Sequence, residues 1–307
     1  MALIDIIAWV GKRRWARPVG VPMMLAARRI PLATMVRLAG RRICIPSAGY
    51  SAIDFTGKRE QSMVVKKTLP GNIGYVRVLA EIDLPSQLPG NHTPTARQFQ
   101  DALKEFSAQG VKGVVVDIRN NNGGSDSMVT QMMGPLYSRK TFYEYQNYVN
   151  PKTGKMEIWV ANEDPSTAAT GPAYVDPGQG ISIAPVSPRF TAPVVAITNN
   201  PCVSSGEGIA MGIKNLANGE TTGFYATNGS FGMSGDEVNM PGGIAVSFPF
   251  GQSLNADKVV QIDSKAMKGG ITPSKRTPLT FENAMKVAAG QDVELEYAQS
   301  LVNQMSK

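Results

Sequence analysis

The 307-residue chain is 42% apolar and 18% charged, a composition that builds a buried core and excludes a disordered polymer. Its net charge of +7 is unevenly placed: residues 1–45 hold nine basic side chains against one acid, Asp5, while the other 262 residues hold 22 bases and 23 acids, which excludes a basic nucleic-acid-binding domain for the bulk of the chain. Two cysteines, Cys44 and Cys202, exclude a disulfide framework or a Cys-rich zinc site, and the lone His92 excludes a site needing two imidazoles.

The chain opens on an apolar stretch, Ala2–Val10, that precedes its charges, the reverse of an export signal. No apolar run approaches the ~18 residues of a membrane span. Residues 1–46 form a basic arm. Within it, Met23–Leu38 reads as a basic amphipathic helix on an anionic membrane surface, as a targeting segment, or as a tail outside the fold. Residues 47–69 read as a strand pair, Tyr50–Phe55 and Gln61–Thr68, around Gly57 and Lys58. From residue 70 to 307 strand and helix patterns alternate. Asn72–Ile82 is rich in strand formers. A helix is expected over Pro94–Gln109, with Thr93 as N-cap, Pro94 in the first position and Gly110 as terminator. Its apolar residues Ala96, Phe99, Leu103 and Phe106 share one face. Val111–Ile118 is an apolar run suited to a strand covered on both sides. A helix near Ser127–Tyr137, long loops with a hairpin over 150–190, a buried strand Pro193–Thr198 and a helix Ser204–Leu216 follow. Late strands near Gly243–Phe248 and Lys258–Ile262 precede a closing helix, Val293–Met305. Repeated strand–helix units imply an α/β fold with a mostly parallel sheet.

Two strand-to-helix turns carry the chemistry. In Asp117-Ile-Arg-Asn-Asn-Asn-Gly-Gly124 the glycines let the backbone turn N–H groups outward beside a helix start, where they stabilise an oxyanion. Asp117 and Arg119 read either as an ion pair shaping this turn or as ordinary strand-end polarity. In Thr198-Asn-Asn-Pro-Cys-Val-Ser-Ser-Gly-Glu207 a serine stands at a helix N-terminus, near the positive end of the dipole. The next N–H can complete an oxyanion hole. The same turn also reads as a plain N-cap, with Ser204 and Glu207 forming a capping box. Cys202 reads as a small buried filler, because a reactive thiol needs a cationic neighbour.

Taken together, VKGVVVDIRNNNGG and VVAITNNPCVSSGEGIAMGI resemble the C-terminal-processing (tail-specific) serine peptidases, nearest the tricorn and retinoid-binding-protein group. NIGYVRV (Asn72–Val78) is similar to the strand opening their catalytic domain, and GGITPSKRTPLTFEN (Gly269–Asn283) to their closing segment. The resemblance covers about residues 47–290. It implies a crotonase/ClpP-like spiral of ββα units, with Ser204 as nucleophile and the N–H groups of Ser205 and of Gly123 or Gly124 as the oxyanion hole. It implies a peptide or protein substrate, no cofactor and no metal, and a cell-envelope or secreted location, although no export signal is visible.

The general base departs from the family pattern. Met233, in Ser230-Phe-Gly-Met233, stands where tail-specific members place a lysine. Arg77 stands where tricorn-like members place a histidine; it either holds an acidic group or faces solvent. No Lys, Arg or His lies between Asn215 and Asp257. Three readings follow. His92 swings in from the Leu84–His92 loop and is oriented by Glu237 or Asp236, giving a Ser204–His92–Glu237 triad. Alternatively Lys258 or Lys265 folds back onto Ser204. Otherwise the domain binds peptides, or acts as a scaffold, without cutting. A crotonase-type acyl-CoA enzyme is a weaker alternative, since it does not need the Ser-Ser-Gly-Glu turn. The arm at residues 1–45 is the expected place of any membrane contact.

Overall fold

Residues 36–38, 41–42, 62–83, 94–150, 153–158, 175–176, 180–232, 234–242, 244–249, 251–262 and 270–307 are described by the computed structural model. Five strands make the central sheet: β3 (Val64–Leu69), β4 (Ile73–Val78), β5 (Val114–Asp117), β10 (Val194–Ile197) and β11 (Gly219–Thr222). Their order is β11-β10-β5-β4-β3. β4, β5, β10 and β11 run parallel, and β3 closes the edge antiparallel to β4. The mostly parallel sheet expected from the strand–helix alternation is therefore present. β3 pairs with β4, across a turn through Gly71 and Asn72; the expected Tyr50–Phe55 strand lies outside the described residues.

Parallel neighbours need crossovers, and helices supply them. α1 (Thr95–Ala108) links β4 to β5, α2 (Asp126–Met133) follows β5, and α3 (Ser205–Lys214) links β10 to β11. One sheet face, bearing Val76, Val78, Val114, Val116, Val194 and Ala196, packs against Phe99, Leu103, Met132, Ile209 and Ile213 of these helices. The opposite face, bearing Tyr75, Val115, Val195 and Ile197, packs against Ala298, Leu301 and Val302 of α5 (Val293–Met305). Alternate residues of one strand thus enter two cores, which is why VVV and VVAI are apolar at every position.

Pro94 is the N-cap of α1, one position later than the expected Thr93. The helix start is held from outside: Thr95 N–H donates to Asp83 Oδ1 (2.8 Å) and Thr95 Oγ1 to the Ile82 carbonyl (2.7 Å). α2 gives way at Met133 to a 3-10 turn, Gly134–Leu136, because Pro135 interrupts the α-helical ladder. The expected Lys258–Ile262 strand is reduced to one bridge, Leu254↔Val260.

Antiparallel ladders are added around this sheet. β6 (Thr141–Val149) pairs with β7 (Met156–Ile158), β9 (Gly180–Ile183) and β14 (Ser253–Leu254), and β8 (Val175–Asp176) pairs with β9. β1 (Val36–Leu38), β2 (Arg41–Arg42), β12 (Ser234–Met240) and β13 (Ile244–Pro249) form a separate four-stranded sheet. Residues 36–38 are thus strand, where one of the readings of Met23–Leu38 had a helix, because they pair with residues 244–246. β6, β11, β12 and α4 (Phe281–Ala288) are elements that the sequence pattern did not disclose. The described residues all belong to one unit, Leu32–Lys307. No helix among them is long and apolar enough to cross a membrane.

Candidate active site

β5 and β10 are paired in register, with Ile197 opposite Asp117. Their carboxyl ends therefore deliver the two marked turns side by side, the place where open α/β sheets bind ligands. Asn residues join the turns. Asn120 N–H donates to Asn199 Oδ1 (2.9 Å), and Asn199 Nδ2 donates back to Asn120 Oδ1 (3.0 Å). The Asn121 carbonyl accepts Val203 N–H (3.1 Å), one residue before Ser204.

The first turn is anchored by charge. The buried Asp117 carboxylate accepts from Arg119 N–H and Nε (both 3.0 Å), Arg119 Nη2 (2.7 Å) and the Tyr75 hydroxyl (2.8 Å). Burial alone would raise this carboxyl; the Arg119 guanidinium overrides it and holds it at about 2. Arg119 also reaches Asp292 (2.7 Å from each of Nη1 and Nη2) and Glu294 (3.3 Å) at the start of α5. The pair is thus a structural ion pair, as one of the two sequence readings had it. Arg77 is buried, not solvent-facing: its Nη1 lies 3.8 Å from Asp117, and Nη2 donates to the Arg119 carbonyl (3.3 Å). It braces this turn from the position expected for a base.

The second turn holds Ser204 at φ 51°, ψ −132°, a left-handed backbone that a β-carbon disfavours. Ser205 then opens α3, so its N–H is one of the helix donors without an intrahelical acceptor. Gly123, at φ +75°, abuts Ser204: a Cβ there would lie 2.5 Å from Ser204 Cβ and 3.1 Å from its Oγ. Gly123 N–H is committed to Asn121 Oδ1 (2.8 Å). Gly124 pairs with Glu81 in a parallel bridge, in which Glu81 N–H donates to the Gly123 carbonyl and Ser125 N–H to the Glu81 carbonyl. In that pattern Gly124's own N–H points away from the Glu81 strand, and it has no acceptor among the described residues.

The Ser204 half of the expected capping box does not form. Ser204 makes no side-chain capping bond. The Glu207 carboxylate reaches forward, accepting from Thr227 Oγ1 (2.7 Å), Gly229 N–H (2.7 Å) and Ser230 N–H (2.8 Å), and the Ser204 backbone also favours its charge. Burial pushes Glu207 up, against the pull of these donors. Cys202 is buried and its thiol pushed well up, first by burial and then by Glu207, Glu81 and Asp117; it packs rather than reacts.

Behind the glycine turn the buried Glu81 and Glu144 lie near the half-buried Asp126. Gln146 Nε2 bridges Asp126 Oδ2 (2.9 Å) and Glu144 Oε1 (2.8 Å), and Ser253 Oγ donates to Glu144. Burial and the neighbouring Asp126 push Glu144 well up, and burial lifts Asp126 to about 6. Glu81 accepts from Asn121 Nδ2 through Oε1 (2.6 Å), while its buried Oε2 has no partner among the described residues.

His92 and Lys265 lie outside the described residues, as does Met233. Glu237 is placed by its backbone in β12, opposite Ser247; its side chain, like that of Asp236, is outside the description. Lys258 Nζ sits over the Tyr145 ring at 5.9 Å. The structure therefore brings together Ser204, Ser205, Gly123 and Gly124. Sequence reasoning missed Asn121, Asn199, Glu81, Asp292 and Glu294. The Asn-rich run hinted at the first two, whereas acids opening a helix carry no sign of a distant partner.

The model of peptidase family S41 matches residues 72–275. No curated protein matches the sequence. Among solved structures, a Parabacteroides merdae protein assigned as a peptidase is similar at 20% identity and TM-score 0.53, over 78% of this chain and 64% of its own. Mature CPAF complexed with lactacystin is similar at 16% identity and TM-score 0.56, over 79% of this chain and 54% of its own. The photosystem II D1 C-terminal processing protease is 21% identical over 76% of this chain and 54% of its own, at TM-score 0.44. This chain thus spans less than two thirds of each of these structures.

Proposed function

The chain belongs to peptidase family S41, and we propose that it is a serine-type endopeptidase working through an acyl-enzyme on Ser204, within a crotonase/ClpP-like spiral of ββα units. The observation that carries this reading is the strained left-handed backbone of Ser204 at the head of α3, pressed against Gly123. That conformation lifts a side chain out of a strand-to-helix turn, as nucleophile turns require.

Ser204 Oγ attacks the peptide carbonyl carbon and passes its proton to the base. The base is His92, oriented by Glu237. The carbonyl oxygen becomes an oxyanion held by the Gly124 and Ser205 N–H groups; Gly123 N–H is already spent on Asn121. The C–N bond breaks, and the departing amine takes the proton from the base. Water, deprotonated by the same base, then releases the acyl group and regenerates Ser204. Peptide or protein chains are the substrate class, and a cell-envelope or secreted setting suits the family resemblance.

A fluorophosphonate probe tests the assignment. Wild type is expected to be labelled and Ser204→Ala not. Labelling that survives unchanged in Ser204→Ala would remove Ser204 from the chemistry. An unlabelled wild type that still binds unstructured peptides would favour the silent binding domain.

A further inference from the structure

The oxyanion donor Gly124 rests on a segment that no motif marks. Val78, Leu79 and Glu81 each bond to the glycine turn. The Val78 carbonyl accepts Asn121 Nδ2 (3.1 Å), the Leu79 carbonyl accepts Asn122 N–H (3.3 Å), and Glu81 brackets Gly124 with two main-chain bonds (3.2 and 2.8 Å). The Glu81 side chain then returns to the same turn, taking the second proton of Asn121 Nδ2 at 2.6 Å. Asn121 is where both turns meet. Its Oδ1 takes Gly123 N–H, its carbonyl takes Val203 N–H, and Gly206 lies so close to Oδ1 that a Cβ there would collide with it.

We propose that Glu81 is a positioning residue that works as a neutral carboxylic acid: through Asn121 and its own main chain it sets the direction of the Gly124 N–H, and its ionisation misaligns that donor. The inference deepens the peptidase reading and rests on it for its catalytic consequence. Its physical ground is the orphaned Glu81 Oε2. A fully buried carboxylate with one bonded oxygen is an incompletely paired charge, which proteins avoid by neutralisation or by moving a partner. Asn121 is the side chain bonded to Glu81, so a change in the charge of the carboxyl acts on it first, drawing its Nδ2 toward Glu81 and away from the Val78 carbonyl. The titratable groups facing Glu81 are Asp126 from α2, Tyr143 from β6 and Cys202 from the second turn. Among the described residues none of these is cationic, and Asp126 further disfavours the charged form. Burial and Asp126 raise Glu81 to about 8, against the pull of Asn121.

Amide NMR of the whole chain from pH 6 to 10, with a parallel kcat profile on an unstructured peptide, tests this. In wild type the Gly123 and Gly124 amides are expected to shift together with a midpoint near the Glu81 value of about 8. kcat is expected to fall about tenfold per pH unit above it, as for loss of one required proton. Glu81→Gln keeps the acceptor and cannot ionise, so both transitions should vanish, and it should restore kcat lost in Glu81→Ala. Absence of the amide transition, or its survival in Glu81→Gln, would overturn the proposal. If wild type cleaves no peptide, the peptidase reading fails while the amide titration still decides the role of Glu81.

Discussion

Gly123 carries two separable demands. Its φ of +75° costs any L-residue backbone strain, and its Cα faces Ser204 at a distance that leaves no room for a methyl group. Gly71, at φ +86°, makes only the first demand, since a Cβ there meets nothing within 4 Å. Each glycine-to-alanine change is expected to cost roughly 1–3 kcal/mol of stability through strain. Only Gly123→Ala should also displace Ser204, and misplacement of about 1 Å lowers the rate about 10²-fold. Urea unfolding and kcat measured on both variants separate the two effects; equal rates in the two would show that Gly123 is needed for its backbone alone. The Gly-Gly signal marked the turn in the sequence, but that Gly123 abuts Ser204 with its N–H bonded to Asn121, leaving the Gly124 N–H open, was decided by the fold.

Among the elements, α5 does more than cover the second core. Asp292 caps it by accepting Leu295 N–H (3.1 Å) and also pairs with Arg119, while Glu294 joins Arg119 to Phe224 N–H (2.8 Å) after β11. The last helix of the chain therefore grips the turns that follow β5 and β11. Asp292→Ala removes both the cap and a charged partner and is expected to cost about 3 kcal/mol. Asp292→Ser keeps a capping oxygen but is too short to reach Arg119, so it should recover only about 1 kcal/mol of that loss. Chemical denaturation measures this; a Ser variant as stable as wild type would deny Arg119 any share. α5 itself was legible in the sequence, with the observed boundaries. Its clasp on Arg119 was not, because the partners are 173 and 175 residues apart in sequence.

For the molecule as a whole, buried carboxyls of opposite tendency set the pH dependence. Asp117 is held low, at about 2, so its contribution is present above the ordinary aspartate range and is lost as pH falls through about 2. Asp126 at about 6 and Glu81 at about 8, with Glu144 also raised, behave oppositely. Their neutral forms are favoured by folding, so that stability is complete below the ordinary carboxyl range and is lost as pH rises through their folded values. The melting temperature is expected to peak in weakly acidic solution and to fall steadily from about pH 5 to 9. Calorimetry across that range checks it; a melting temperature that climbs toward pH 9 would mean the cluster is ionised in the folded protein. The +7 net charge has no part in this, since it resides in the arm, whose residues 1–35 lie outside the described structure.

Local pattern alone determined the strands and helices that carry the two turns, because each must be apolar on the faces it buries and each turn must contain the residues its backbone demands. VVV, VVAI, the α1 face and the Gly-Gly and Ser-Ser-Gly-Glu turns all announce themselves within a dozen residues. β6 and β11 did not, because polar residues such as Glu144, Thr221 and Thr222 are buried in them and bonded to partners distant in sequence. Tertiary structure decided which backbone N–H remains open, which acid is left half-paired and what becomes of Arg77. Those outcomes depend on hydrogen bonds between segments 40 to 175 residues apart, and chain order carries no trace of a pairing that only folding creates.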